Sequence, residues 1–290
     1  MKHKKAFAGI GLAMSAALVL AGCSGDGGGG SDPEVQEDVQ FEEGTTMAAL
    51  AEKGSITVGT KFDQPLFGLA GPDGTPEGFD VEIAKIIAAE LGIAPENIDW
   101  VETVSQNREP FIQDGQVDIV VATYTINDDR KEVIDFAGPY YVAGQSFLVP
   151  AGNPKGITSD PEQLGDATVC TVTGSTSEEN IREYTDSVIT VDKYSDCIEP
   201  IRSGQADALT TDNVILAGLV DQNGDEFEVV DGFFTEEPYG VGLQKGDDEF
   251  RDFINDTLEA SYEDGRWENA WQSTVGDNLT MPEPPEVDRY

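Results

Sequence analysis

Apolar positions along the chain change period repeatedly, and the changes mark out its elements. In GFDVEIAKIIAAELG (residues 78–92), Val81, Ala84, Ile87, Ala88 and Leu91 recur at helical spacing, with Asp80 as the expected cap and Gly92 as the stop. The preceding SITVGT at 55–60 is short and β-branched, which predicts a strand. Residues 98–103 and 117–123 predict two further strands with a short helix over 109–114 between them. A helix is expected over 128–135, leading to Gly138-Pro139-Tyr140-Tyr141. A second round follows residues 144–150. Asp160-Pro161 opens a helical turn, 168–172 reads as a strand, and Gly174-Ser175-Thr176-Ser177 starts a helix. Strands at 188–191 and 206–210 flank a helix over 196–202, and Asp212 is placed to cap a helix over 213–220. Residues 227–230 and 239–244 return as strands. The chain closes with amphipathic helices marked by Phe250, Phe253, Ile254 and Leu258, then by Trp267 and Trp271.

Strands alternating with helices predict an α/β fold with parallel sheets covered by helices, and two such rounds predict two lobes. In open α/β sheets, ligands sit beyond the carboxyl ends of the strands. That rule singles out Lys61, residues 105–108, residues 123–125, residues 174–176 and Asp212.

The first residues read differently. Lys2, His3, Lys4 and Lys5 precede an apolar stretch over 6–20 that is too short to span a bilayer comfortably, as in an export signal. It ends in Leu20-Ala21-Gly22-Cys23, which resembles the lipobox of bacterial lipoproteins. In those proteins the chain is cut before the cysteine, which is then acylated. The other reading is an ordinary secretory signal with a stray cysteine. Removal of residues 1–22 takes His3 with it and leaves no histidine. Residues 23–52 begin GDGGGGSDPEVQED after Ser24 and read as a flexible acidic tether. With Cys23 assigned to lipid, Cys170 and Cys197 remain as one pair in an exported protein, where a disulfide is permitted. The alternative is two buried thiols.

Charge narrows the function. The 290 residues carry 56 Asp+Glu against 17 Lys+Arg, a net −39, and such a field repels phosphate backbones. Without histidine in the exported chain there is no Ser-His or Cys-His pair and no histidine-ligated metal. No cofactor or metal is expected. Scarce cations therefore carry information, and Lys61, Arg108 and Arg130 all fall at or just beyond strand ends. The alternative for each is a solvated position or pairing with a nearby acid such as Glu109 or Asp128. Arg130 has the fork suited to a carboxylate. Thr123 and Thr125 project to one face, the helix start at Ser175 and Thr176 offers free amides, and Asp212 offers a carboxylate to an ammonium group. The set describes a free amino acid: α-carboxylate on Arg130, Thr125, Ser175 and Thr176, and α-amino group on Asp212 and Thr123. Lys61 and Arg108 are left for an acidic side chain.

From residue 54 to 276 the sequence resembles the extracellular solute-binding proteins of ABC importers that take polar amino acids. The matching segments are VGTKFDQPLFG, GFDVEIAKIIAAELG, ATYTINDDRKEVIDFAGPYY with the family arginine at Arg130, VTGSTSEENI, and SGQADALTTDN with the family aspartate at Asp212. SQNREPFIQDG is similar to the glutamate/aspartate binders, in which the arginine at Arg108 meets the side-chain carboxylate. Two departures stand out. The Phe62, Gln64 and Phe67 loop does not reveal which residue faces a ligand, and Tyr194 stands where some glutamate/aspartate binders have histidine, so the resemblance implies one neutral donor to the side-chain carboxylate there, or else a core residue.

The resemblance implies a two-lobed periplasmic-binding-protein type II fold with a ligand cleft between the lobes and two hinge crossings, near residues 144–148 and 237–241. Lobe 1 is expected to comprise 53–144 and 240–290, and lobe 2 residues 145–239. It further implies a monomeric, exported protein, lipid-anchored to the outer face of the membrane, that closes on glutamate or aspartate and delivers it to an ABC permease and its ATPase. Alternatives are a neutral ligand such as glutamine, a dehydratase-like enzyme on the same fold, and a sensor or adhesion lipoprotein. The acidic tail from Pro282 reads as solvated surface.

Overall fold

The computed structural model describes residues 32–290; the export signal, the lipobox and Cys23 lie outside them. Helix α1 (Thr46–Lys53) leads into strand β1 (Ile56–Thr60). A small antiparallel sheet follows, made of β2 (Asp63–Gln64), β3 (Gly68–Ala70) and β4 (Pro76–Glu77). Then come α2 (Phe79–Glu90), β5 (Ile98–Glu102), α3 (Arg108–Gln113), β6 (Ile119–Val120), the single turn α4 (Asp128–Lys131) and β7 (Asp135–Ala143). The chain crosses at Gly144 into β8 (Gln145–Pro150), β9 (Val169–Val172), α5 (Thr176–Arg182), β10 (Val188–Val191), α6 (Ile198–Arg202), β11 (Ala208–Asp212), α7 (Asn213–Asn223) and β12 (Phe227–Val229). It returns as β13 (Glu237–Leu243) and ends in α8 (Asp248–Asp264) and α9 (Arg266–Thr274).

Two five-stranded sheets result, ordered β5-β1-β6-β13-β7 and β10-β9-β11-β8-β12. They are mixed rather than parallel. β13 runs antiparallel to β6 and β7, and β8 antiparallel to β11 and β12. These are the strands on either side of the two crossings, so the reversals follow from a chain that leaves one sheet and later comes back. The fold is the two-lobed type II arrangement, with β1, β6, β9 and β11 all ending toward the cleft.

Several local expectations change. Helix α2 starts at Phe79 after Gly78, whose φ of +134° and approach to Phe67 exclude a side chain. Asp80 is therefore inside the first turn and caps nothing; its carboxylate points away to Thr123 and Tyr140. Asp212 stands at the cap position of α7 but accepts no capping bond. The helix expected over 128–135 is one turn, because β7 takes the chain from Asp135. The tether reading fails for its described part. Met47 and Leu50 of α1 are buried, Phe41 meets Phe253 edge-on at 5.5 Å, and Gln36 N donates to Ala89 O at 3.0 Å.

Cys170 and Cys197 form a disulfide that ties β9 to the turn before α6, with Cα atoms 5.7 Å apart. Around the start of α2, Phe67, Phe79, Tyr140, Tyr239, Trp267 and Trp271 are buried in one aromatic cluster. Phe67 belongs to that core and not to a ligand face.

The acids of the tail, Glu283, Glu286 and Asp288, are exposed as expected, but the last residues are ordered against the fold. β7 is an edge strand, and residues 287–290 cover it: Asp288 N donates to Gly138 O at 2.8 Å, and Phe136 N to Tyr290 Oη at 2.9 Å. Val287 is buried, Tyr290 lies under Lys131 Nζ at 3.9 Å, and Arg289 pairs with Asp256 and Glu259. An uncovered edge is a template for further pairing. Truncation after Thr280 is expected to lower Tm by about 4–8 °C, at roughly 2–4 °C per kcal/mol for this size. Calorimetry checks it, and an unchanged Tm contradicts the cover.

Candidate functional site

The strands carry their ends into the gap between the sheets, and there a small, tightly closed cavity is lined by both lobes. From the first sheet's side it is lined by Ser105, Arg108, Thr123 and Thr125, and from the second by Ser175, Thr176, Ser177, Tyr194 and Asp212. Every one of these follows a strand or starts a helix. The rule that ligands sit at carboxyl ends of strands thus finds most of the wall.

Arg108 begins α3 and is buried. Its Nε donates to Ser105 O at 3.2 Å, and its Nη1 to Ala122 O at 3.3 Å and Thr123 O at 3.4 Å. Its guanidinium lies 4.1 Å from the centre of the Tyr124 ring, a cation–π contact that holds the plane in place. Lys61 does not line the cavity. It stands behind Ser105, donating from Nζ to Ser105 Oγ at 2.9 Å. Burial, with Arg108 adding to it, pushes Lys61 down to about 7.

Arg130 also stands outside the cavity proper and lines an adjoining opening with Gly174 and Ser175. Its Nη1 donates to Thr125 O at 2.7 Å, and its Nε pairs with Glu109 at 3.0 Å. Both pictures of Arg130 are thus present: a cleft arginine, and a partner of a nearby acid. The ion pair and the Tyr124 ring, 5.1 Å from the guanidinium, orient the fork.

On the opposite wall, Asp212 Oδ2 accepts from Tyr239 Oη at 2.6 Å, while Oδ1 is buried with no partner among the described residues. Burial, then the charge of Glu237, raises Asp212 to about 7. Ser175 caps α5, accepting from Glu178 N at 3.0 Å. Tyr194 is buried at the wall, with Oη 3.4 Å from Ser177 Oγ, and burial and Asp212 raise its pKa.

The two walls are joined by direct bonds. Glu237, at the start of β13, accepts from Thr176 Oγ1 at 2.9 Å and from Asn180 Nδ2 at 3.1 Å. Gln106 Nε2 reaches Asp192 at 3.4 Å, Ser195 approaches Asp63 at 3.4 Å, and Lys193 pairs with Glu102. At Gly174, a Cβ would lie 3.0 Å from Gln106 Cα, so the lobes meet closely there and a side chain would have to push them apart slightly. The cleft is closed.

Pattern reading missed Asp80, Gln64, Glu237 and Tyr239. Asp80 resembles a helix cap, and Gln64 sits in a loop with three candidates; its Oε1 accepts from Thr123 Oγ1 at 2.9 Å. Glu237 and Tyr239 return from the far side of the second lobe and carry no local signal. Asp80 is raised to about 7 by burial, against the opposing bonds from Tyr140 and Thr123.

Residues 56–274 match the bacterial extracellular solute-binding proteins, family 3. The chain is 39% identical to the glutamate-binding protein GluB of Corynebacterium efficiens, over 96% of this chain and 94% of that protein. It is 37% identical to the ABC transporter glutamine-binding protein GlnH of Bacillus subtilis, over 94% of this chain and 97% of that one. Among solved structures, an ancestral arginine-binding protein bound to glutamine superposes with a TM-score of 0.71 at 34% identity, covering 77% of this chain and 98% of that chain. With closed lobes, a polar cavity at their strand ends and a family match across both, this chain belongs to the bacterial extracellular solute-binding proteins of family 3.

Proposed function

We propose that the protein is the substrate-binding lipoprotein of an ABC importer, and that it captures an acidic amino acid, glutamate in the first instance. The observation that carries this is the polarity of the cavity. One wall presents the buried Asp212 Oδ1 without a partner, and the other presents the Arg108 guanidinium. An α-ammonium group meets Asp212, with Thr123 beside it. The α-carboxylate meets Arg130, Thr125 and the helix start at Ser175 and Thr176. The side-chain carboxylate meets Arg108 and Tyr194, with Lys61 acting through Ser105.

The lobes, expected as residues 53–144 with 240–290 and residues 145–239 but with all of β13 (Glu237–Leu243) in the first sheet, close on the ligand about the two crossings, and the closed form docks on the permease. Cys23 is acylated after removal of residues 1–22 and tethers the monomer to the outer face of the membrane. Transport rather than catalysis is supported by the relatives, whose names are those of binding proteins.

A glutamine ligand leaves Arg108 buried without a counter-charge, and truncating or neutralising one partner of a buried pair costs about 2–5 kcal/mol. Calorimetric titration of the protein with glutamate, aspartate, glutamine and histidine is expected to rank the two acids first. Arg108→Ala is expected to weaken glutamate by about 30-fold or more and to change glutamine little, and Asp212→Asn to weaken all four. Equal binding of glutamine and glutamate favours the neutral-ligand reading; no binding of any removes the receptor reading.

Proton linkage separates the two ends of the ligand. Lys61, lowered to about 7, is pushed back up by an arriving carboxylate, so glutamate binding takes up a proton and weakens as pH rises through 7. Asp80, raised to about 7, is shifted in the same direction by that anion. Asp212, also raised to about 7, is pulled down by the α-ammonium group, so binding of any amino acid releases a proton there and strengthens with pH. The ratio of glutamine Kd to glutamate Kd cancels the Asp212 contribution. It is expected to fall as pH rises from 6 to 8.5, by at most about tenfold per pH unit for one proton. Titrations at four pH values check this, and a flat ratio contradicts Lys61's part in selection.

A further inference from the structure

Thr123 has a φ of +44°, the left-handed region that a β-branched side chain opposes. A residue stays there only where its surroundings hold it. What holds Thr123 is Asp80. Oδ2 of Asp80 accepts from Thr123 N at 2.7 Å, and Oδ1 accepts from Tyr140 Oη at 2.6 Å. Asp80 and Tyr140 are fully buried, one in the first turn of α2 and the other on β7. The carboxylate does not line the cavity, yet it grips the loop that does.

The consequence reaches Arg108. With Thr123 turned this way, the carbonyls of Ala122 and Thr123 both face Arg108 Nη1, at 3.3 and 3.4 Å. Thr123 Oγ1 is turned to Gln64 at 2.9 Å. The backbone rest for the guanidinium is thus set from behind, by a residue on another element.

We propose that Asp80 is a positioning residue for ligand selection: by holding Thr123 in its left-handed backbone it fixes the guanidinium of Arg108 toward the ligand's side chain. This rests on the reading that Arg108 meets a side-chain carboxylate. A cap or a core filler in the same place would support α2 without touching selectivity.

Asp80→Asn keeps the shape but removes the charge: with its oxygen on Thr123 N–H its amide donates to Tyr140 Oη, which leaves the buried tyrosine O–H without its acceptor, and with the amide turned the other way Thr123 N–H loses its own. Thr123→Gly supplies a residue that adopts positive φ freely. Glutamate and glutamine Kd values and Tm are measured for the wild type, both single variants and the double variant. Asp80→Asn is expected to weaken glutamate by about tenfold or more and to narrow its preference over glutamine. In the Thr123→Gly background the same change is expected to cost no more than about threefold, a coupling that independent sites do not show. A lowered Tm with the wild-type preference retained overturns the proposal, as do effects that simply multiply.

Should Asp80→Asn not fold, Tyr140→Phe replaces it. That variant frees only Oδ1, and about a threefold narrowing of preference is expected; an unchanged preference overturns the proposal. A wild type that does not prefer glutamate contradicts the role given to Arg108. The cycle is then read on the amino acid bound most tightly: a loss on Asp80→Asn that Thr123→Gly relieves supports Asp80, and no such relief overturns it. A wild type that binds none of them overturns both.

Discussion

The structure depends on keeping charges of both signs in a gap from which water is largely excluded. Lys61, Arg108 and Arg130 gather with Asp80, Glu109, Asp212 and Glu237 in and just behind one closed cleft, where burial pushes Lys61 down, and Asp80 and Asp212 up, to about 7. Each charge is tolerated because it is hydrogen-bonded or paired: Asp80 by Tyr140 and Thr123, Asp212 by Tyr239, Arg130 by Glu109, Lys61 by Ser105. The exception is Asp212 Oδ1. A buried carboxylate oxygen without a donor is costly, and a cationic ligand group relieves that cost.

The same economy of partners couples the lobes. Tyr239 and Glu237 belong to β13 in the first sheet, yet they bond to Asp212 and to α5 in the second lobe. β13 directly follows the return crossing, so the bonds that join the lobes lie beside the point where the chain passes between them. The surface carries the acid excess, with net −39, while the cations that matter are gathered inside. Within a Debye length of about 8 Å their attraction dominates, and beyond it salt screens the repulsive surface field.

Sequence patterns made the strands of the two α/β rounds and the disulfide pair legible, though not β7, β8 or the small β2-β3-β4 sheet, and most of the cavity wall with them, because strand ends in an α/β fold converge. Ser105, Arg108, Thr123, Thr125, Ser175, Thr176 and Asp212 all come from that one rule. What stayed hidden depended on long-range placement. The aspartate at the start of a helical pattern reads as a cap, and only the backbone shows that Gly78 holds that place while Asp80 faces inward. Lys61 follows β1 as expected but ends behind Ser105, since the serine lies between it and the cavity. The antiparallel strands β8 and β13, and the tail along β7, are pairings between distant segments that no local period announces.

On the proposed reading the cleft is polarised, with its carboxylate end for an ammonium group and its guanidinium end for an acidic side chain. A crystal structure with L-glutamate tests it most directly. The ammonium nitrogen is expected within hydrogen-bond reach of Asp212 Oδ1, and the side-chain carboxylate on Arg108. A glutamate lying the other way round, or a side-chain carboxylate that does not touch Arg108, contradicts it.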